Sequence, residues 1–224
     1  MSRVRKKRQE GKVSQIFLVD DHPIFCDGLS RLLMAEKDMT VCGHAKNATI
    51  ALKSIVRLKP DLAVVDLGLP GKSGLELIKE IRALKFPVKL LVVSMFDEAI
   101  YAQRVLRAGG DGYVMKQEDP DVIVLAIRDV LAGHIYVSED IFGKYSSKGL
   151  PGKDATSLDL LTDSELEILE LFGSRKTKDA IVLQLGITKA EVDRLGAGIC
   201  RKLKLRGSQS LIRYAINWVD KSSI

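Results

Sequence analysis

"DLAVVDLGLPGKSG", residues 61–74, runs through an uninterrupted apolar stretch, stops at Asp66, and enters a loop rich in glycine and proline. A short run this uniformly apolar reads as a strand buried on both faces, the kind found where helices cover a parallel sheet on each side. The rest of the first half repeats the rhythm. Runs of strand length at "QIFLVD" (15–20), "TVCGHA" (40–45), "LAVVDL" (62–67), "KLLVVS" (89–94) and "GYVMK" (112–116) alternate with helical patterns. Those patterns span Pro23–Glu36, Ala48–Leu58, Leu75–Leu84, Ala99–Ala108 and Asp121–Leu131. The alternation predicts an α/β fold: a doubly wound parallel sheet with right-handed crossovers.

The pattern breaks at 139–158, where "SSKGLPGKDATS" has the composition of a linker. Only helices are expected beyond it. "TDSE" (162–165) is a capping box opening a helix to Phe172, and Thr177 can cap a second helix to Leu185. Gly186 supplies a turn, "TKAE" (188–191) is another capping box, and Ser208 can cap a last helix through Trp218. The expected division is therefore a basic tail at 1–13, an α/β domain at 14–138, the linker, and an all-α domain at 159–224. There are no internal repeats.

The 224 residues carry a net charge of +6, unevenly spread. The tail holds Arg3, Arg5, Lys6, Lys7, Arg8 and Lys12 against Glu10, and 175–206 hold nine basic residues against Asp179, Glu191 and Asp193. The remainder is acidic, so a polyanionic partner is expected for the basic regions, although a solvated tail is the plainer reading of 1–13. No apolar run is long enough to span a bilayer, and no secretory leader is expected behind the charged N-terminus. Cys26, Cys42 and Cys200 are scattered and odd in number, which suits small core residues in a reducing cytoplasm.

In an open parallel sheet, ligands sit beyond the carboxyl ends of the strands. The first run ends in Asp20 and Asp21, the third at Asp66, the fourth in Ser94 and the fifth in Lys116. A single aspartate after a strand is usually a cap or turn former. Three carboxylates converging on one edge repel each other unless a cation joins them, and oxygen-only ligands suit Mg²⁺. Such a site favours phosphoryl transfer, with Asp66 as nucleophile, Asp20 and Asp21 holding the metal, and Lys116 and Ser94 meeting the transferred group.

"FLVDDHP", "DLAVVDLGLPGKSG", "VVSMFDEAIYAQRVLRAGGDGYVMK" and the C-terminal helices together resemble a two-component response regulator of the NarL/FixJ type, over roughly 14–138 and 159–220. The resemblance implies a flavodoxin-like receiver with strand order 2-1-3-4-5 and a LuxR-type helix-turn-helix output domain. It implies phosphorylation of Asp66 by a sensor histidine kinase or small phosphodonor. It implies Mg²⁺ held by Asp21, Asp66 and the Gly68 carbonyl with help from Asp20. Ser94 would be the switch hydroxyl, Tyr113 a switch aromatic that turns inward on phosphorylation, and Lys116 the phosphate-pairing lysine. Taken singly, Ser94 ends a strand and Tyr113 is a core aromatic; taken together on one edge, they make a site. His22 and Pro23 read as loop and helix-start residues. His44 and His134 read as structural or exposed. The outer faces of the 98–109 and 119–132 helices are implied as docking or homodimer surfaces, the dimer forming when the protein is active.

"EVDRLGAGICRKL", 191–203, falls where that family reads DNA. Val192, Leu195 or Gly196, Ile199 and Leu203 are expected inward, and Asp193, Arg194, Ala197, Gly198, Arg201 and Lys202 outward. Asp193, Leu195 and Ala197 depart from the residues the family commonly carries. Lys176, Lys178, Lys189, Arg201, Lys202, Lys204 and Arg206 can hold phosphates, while Arg194 alone is suited to reading a base, with Asp193 able to accept from cytosine. The leading expectation is a cytoplasmic, phosphorylation-controlled transcription regulator binding double-stranded DNA. The alternative is a protein-interaction switch whose output domain has lost or altered base readout. An enzyme is not expected, because no second catalytic constellation accompanies the receiver residues.

Overall fold

In the computed structural model, which describes residues 13–139, 141 and 157–222, five parallel strands form one sheet in the order β2-β1-β3-β4-β5. They are β1 (Ser14–Val19), β2 (Met39–Ala45), β3 (Leu62–Val65), β4 (Lys89–Ser94) and β5 (Gly112–Met115). This is the expected order. Five helices alternate with them: α1 (Pro23–Ala35), α2 (Ala48–Leu58), α3 (Gly74–Ala83), α4 (Glu98–Ala108) and α5 (Pro120–Leu131). The residues of β3 are all buried, as expected for a strand covered on both sides. Helices α1 and α5 pack on one face through Leu29, Leu33, Ile123 and Ile127. Helices α2, α3 and α4 cover the other through Ile55, Ile78, Ala102 and Val105. The basic tail, save Val13, and most of the linker lie outside the described residues.

After a short 3-10 turn at Ser157–Leu160 come α6 (Asp163–Gly173), α7 (Lys178–Leu185), α8 (Lys189–Lys202) and α9 (Ser208–Ser222). Both expected capping boxes form, Thr162 with Glu165 and Thr188 with Glu191, and Thr177 caps α7. The last helix differs from expectation. Leu211 N–H donates to the Gly207 carbonyl, so Ser208 is already inside the helix, which continues past Trp218 to Ser222. The hydrophobic core on the α3–α4 side runs on without a break into Leu166, Leu169 and Phe172 of α6.

The β3–α3 loop folds tightly over the strand end. Gly74 N–H donates to the Leu67 carbonyl at 3.0 Å, and a Cβ on residue 74 would overlap the Asp66 carbonyl and come within 3.0 Å of Leu67 Cα. Backbone cannot yield as a flexible side-chain tip can. Gly74→Ala is expected to cost about 2–3 kcal/mol of folding stability, read as a shifted midpoint in urea denaturation. An unchanged midpoint would show that the loop accommodates the methyl group.

Candidate phosphoacceptor site and DNA-facing helix

Strands β1 and β3 end one residue before Asp20 and Asp66, so both carboxylates stand at the sheet's carboxyl edge. Asp20, Asp66 and Ser94 are 5%, 4% and 1% exposed, deep for such polar groups. Each has partners. Ser94 Oγ donates to Asp66 Oδ1 at 2.8 Å, and Lys116 Nζ reaches Asp66 Oδ2 and Asp20 Oδ2, both at 2.7 Å. Burial pulls the lysine pKa down, but the charge of Asp66 and its hydrogen bonds to both carboxylates outweigh this and raise it. The ammonium also lies 4.8 Å from the centre of the Phe25 ring. Lys116 thus offsets part of the repulsion between the two buried acids.

His22 takes a larger part than its reading as a loop residue allowed. Its backbone N–H donates to Asp20 Oδ1 at 2.9 Å, and its Nδ1 lies 3.0 Å from Asp20 Oδ1 and from Asp21 Oδ1. One ligand atom from each of Asp20, Asp21, His22 and Asp66 lies within 4.8 Å of the others. Asp20 Oδ2 is buried with the Lys116 ammonium as its one partner, and Asp21 Oδ1 is buried beside the His22 ring without a well-formed hydrogen bond. Buried oxygens short of hydrogen bonds, in a set of three carboxylates, fit a hard divalent cation. Gly68 adds no side chain beside Asp66: a Cβ there would lie 3.9 Å from Asp66 Oδ2. Met95, next to Ser94, is 54% exposed.

Tyr113 is fully buried, its ring turned inward beneath the β4–α4 segment. Its hydroxyl donates to the Phe96 carbonyl at 2.7 Å, and burial, then the charges of Glu170 and Asp66, hold its phenol well above the ordinary value. The core slot takes the ring and supplies its one polar atom with a partner. The Phe96 ring in turn stacks on Tyr101 at 5.0 Å.

Tyr101 leads to an arrangement the sequence reading did not foresee. Helix α6 lies against α3 and α4. Arg104 donates to Asp163 Oδ1 at 3.0 Å and to the carbonyls of Leu161 and Leu158, and Lys79 pairs with Asp163 Oδ2 at 2.5 Å. Glu167 and Glu170 are enclosed between α6 and the receiver. Burial first, then the charges of Glu76, Glu170, Asp66 and Asp163, push the Glu167 carboxyl up to about 8. Burial pushes Glu170 up to about 7, partly countered by the Tyr101 hydroxyl beside it. One oxygen of each carboxyl, like the Tyr101 hydroxyl, lacks a hydrogen bond of good geometry.

In α8, Val192, Gly196, Gly198 and Ile199 are buried. Gly198 was expected outward. It is buried because α8 crosses α6 closely there, and a Cβ on residue 198 would overlap the Glu165 carboxylate. Asp193, Arg194, Ala197 and Arg201 are exposed. The candidate phosphate contacts are divided. Lys178 pairs with Asp193, Lys189 pairs with Asp179 at 2.5 Å, and Lys202 donates to Glu165 at 2.6 Å. Lys202 therefore fastens α8 to α6; burial raises the Glu165 carboxyl, but Lys202 and Thr162 outweigh it and bring it below the ordinary range. Lys176 is exposed. Arg194, with Glu191 and Leu195, faces Gly71 and Ser73 of the β3–α3 loop and Glu76 of α3 across a cleft of about 180 Å³.

Residues 16–128 match the response regulator receiver domain family. A putative transcriptional regulator of Pseudomonas aeruginosa is 32% identical over 203 residues, 91% of this chain and 97% of that protein. The nitrate/nitrite response regulator protein NarL of Escherichia coli is 29% identical over 211 residues, 93% of this chain and 96% of that one. Among solved structures, the RcsB response regulator of Salmonella typhimurium superposes with a TM-score of 0.68 at 23% identity, over 91% of this chain and 97% of that one, a likeness of fold. No helix among the described residues is long and apolar enough to cross a membrane.

Proposed function

The chain belongs to the response regulator receiver family, and from that premise we propose that it is a transcription regulator switched by phosphorylation of Asp66. One observation carries the reading: the Asp66 carboxylate, held between the Ser94 hydroxyl and the Lys116 ammonium at the mouth of an acidic site. A carboxylate oxygen attacks phosphorus of a histidine-kinase phosphoimidazole or a small acyl phosphate. The bond from phosphorus to the donor breaks, and its electron pair leaves with the donor. Asp20, Asp21 and Asp66 would hold Mg²⁺, with the Gly68 carbonyl completing the set, and the ion would offset charge on the transferring group. The chain's own residues do the rest. Lys116 Nζ moves its pairing from carboxylate to phosphoryl oxygen, and Ser94 Oγ, now donating to Asp66 Oδ1, donates to the new group instead.

An acyl phosphate of about −1.5 to −2 replaces the carboxylate's −1, and the extra charge falls on an edge whose neighbours across the domain contact are Glu167 and Glu170. The extra charge makes ionisation of these acids costlier while docked, which favours release of α6 from α3 and α4, moves Arg194 away from the β3–α3 loop and biases the protein toward a DNA-competent, dimeric state in the cytoplasm. DNA is then met by Arg194 at a base edge and by Lys176, Lys178, Lys189, Arg201 and Lys202 at phosphates. The internal pairing of Lys178, Lys189 and Lys202 favours the second reading, an output domain that works through proteins instead.

Anisotropy titrations of a labelled duplex against salt, with and without acetyl phosphate, separate the two. With Lys176, Lys178, Lys189, Arg201 and Lys202 at phosphates, log affinity should fall with log salt at a slope of about −4 to −5 per chain, and phosphorylation should raise affinity. No binding at low salt in either state would remove DNA from the account.

A further inference from the structure

A cleft of about 860 Å³ opens in the output domain beside α8, on the side that carries Asp193 and Ala197 and away from the wall that carries Arg194. Its walls come from the end of α6, the start of α7, and the facing sides of α8 and α9. The volume lies in the range of small-molecule sites, roughly 300–1,000 Å³. The cleft owes its size to the sequence of α8. Gly196 and Ala197, one turn after Val192, present almost no side chain, and a Cβ at 196 would just touch Leu211 at 3.4 Å. Phe172, Leu211 and Ile216 supply the remaining apolar surface. Ile212, at the edge, is 40% exposed and extends the apolar wall toward solvent.

The mouth is charged. Arg175, Lys176 and Lys178 stand there against one lining carboxylate, Asp193, which is paired with Lys178. Asp220, 3.5 Å from Arg175, is the other acid beside them, so cations remain in excess. An apolar floor under a cationic rim selects a small amphiphile: a flat or chain-like apolar body bearing a carboxylate, sulfonate or phosphate.

We propose that this cleft is a binding site for a small apolar molecule carrying an acidic group, an effector site built into the output domain and separate from Asp66. An occupant lies between α9 and the Asp193–Ala197 side of α8, beside the candidate DNA contacts. Its effect on DNA reading rests on the function proposed above; occupancy of the cleft does not.

The test uses the full chain and a fluorescent probe of the stated chemistry, 8-anilinonaphthalene-1-sulfonate, beside its uncharged relative N-phenyl-1-naphthylamine. The sulfonate is expected to bind one site saturably, with at least a several-fold fluorescence rise, and more tightly than the neutral probe. Gly196→Leu fills the floor and strengthens the helix, so it should abolish the rise while the protein stays folded by circular dichroism. Lys176→Glu should weaken the sulfonate several-fold and leave the neutral probe nearly unaffected. Should Gly196→Leu fail to fold, Ile212→Asp at the exposed edge gives the same readout. A rise that survives the filling variants overturns the proposal, as does equal affinity for both probes. Fluorescence that falls as protein concentration increases also overturns it, because a second copy would then be the occupant.

Discussion

Asp66→Asn will take up no phosphoryl group from acetyl phosphate under conditions that label the wild type, a loss of at least about 100-fold in initial rate read by intact mass. The amide keeps the size and one acceptor oxygen, so Ser94 Oγ still has a partner at a site that places it 2.8 Å away. It lacks the anionic oxygen that attacks phosphorus. The same change removes one of two buried charges sharing Lys116, whose ammonium then serves Asp20 alone. Stability should therefore stay level or rise, since like charges confined in one site cost free energy. Loss of labelling with retained or increased melting temperature would separate a missing nucleophile from a damaged fold. Equal labelling of the mutant would move the acceptor to another residue and undo the proposed function at its root.

The receiver was legible because its signals are local. Uniformly apolar runs mark strands covered on both faces, and an aspartate directly after such a run stands at the carboxyl edge, so Asp20, Asp66, Ser94 and Lys116 share one edge, while the order of the strands came only from the family resemblance. His22 was harder. Its ring acts through two neighbouring carboxylates, and nothing in its spacing distinguishes that from a residue opening α1. The places where sequence reasoning fell short all involve a partner distant in the chain. Lys202 looks like one more solvated cation until Glu165, thirty-seven residues earlier, is seen to receive it. Gly198 looks outward by helical spacing because spacing alone cannot say that α6 passes so close. The Arg104 contact with Asp163 links residues fifty-nine apart.

One signal in α6 could have been used. "LEILELF", 166–172, is apolar on every side apart from Glu167 and Glu170, and a helix apolar all round is buried all round. Its two acids then have no solvated face to occupy. Their burial, and with it a second packing surface for the helix, was implicit in a stretch that charge counting reads as ordinary.

Those two acids give the output domain a docking strength that falls as pH rises. Facing them are Glu76 and Lys79 on α3, Asp97, Tyr101 and Arg104 around α4, Asp163 on α6 itself, and Asp66 beneath. Both carboxyls sit above the ordinary glutamate value, near 8 and 7, in the docked state. A group that binds its proton more tightly when docked contributes fully below its free pKa, and that contribution is lost as pH climbs through the docked pKa. The window is therefore from about pH 4.5 to about 8. Small-angle scattering or an interdomain energy-transfer pair should report a compact protein at pH 6 that opens progressively toward pH 9. Glu167→Gln with Glu170→Gln should stay compact to the top of that range, since neutral amides carry no charge to desolvate or repel. Arg104→Ala should open at lower pH by removing the guanidinium that ties α4 to Asp163 and two carbonyls. Phosphorylation of Asp66 should displace the wild-type transition in the same direction as Arg104→Ala, because the added negative charge raises the cost of holding Glu167 ionised nearby. If the double glutamine variant opens along the wild-type curve, the buried acids are not what the phosphoryl charge acts upon, and release of α6 must come from movement of the β4–α4 segment instead.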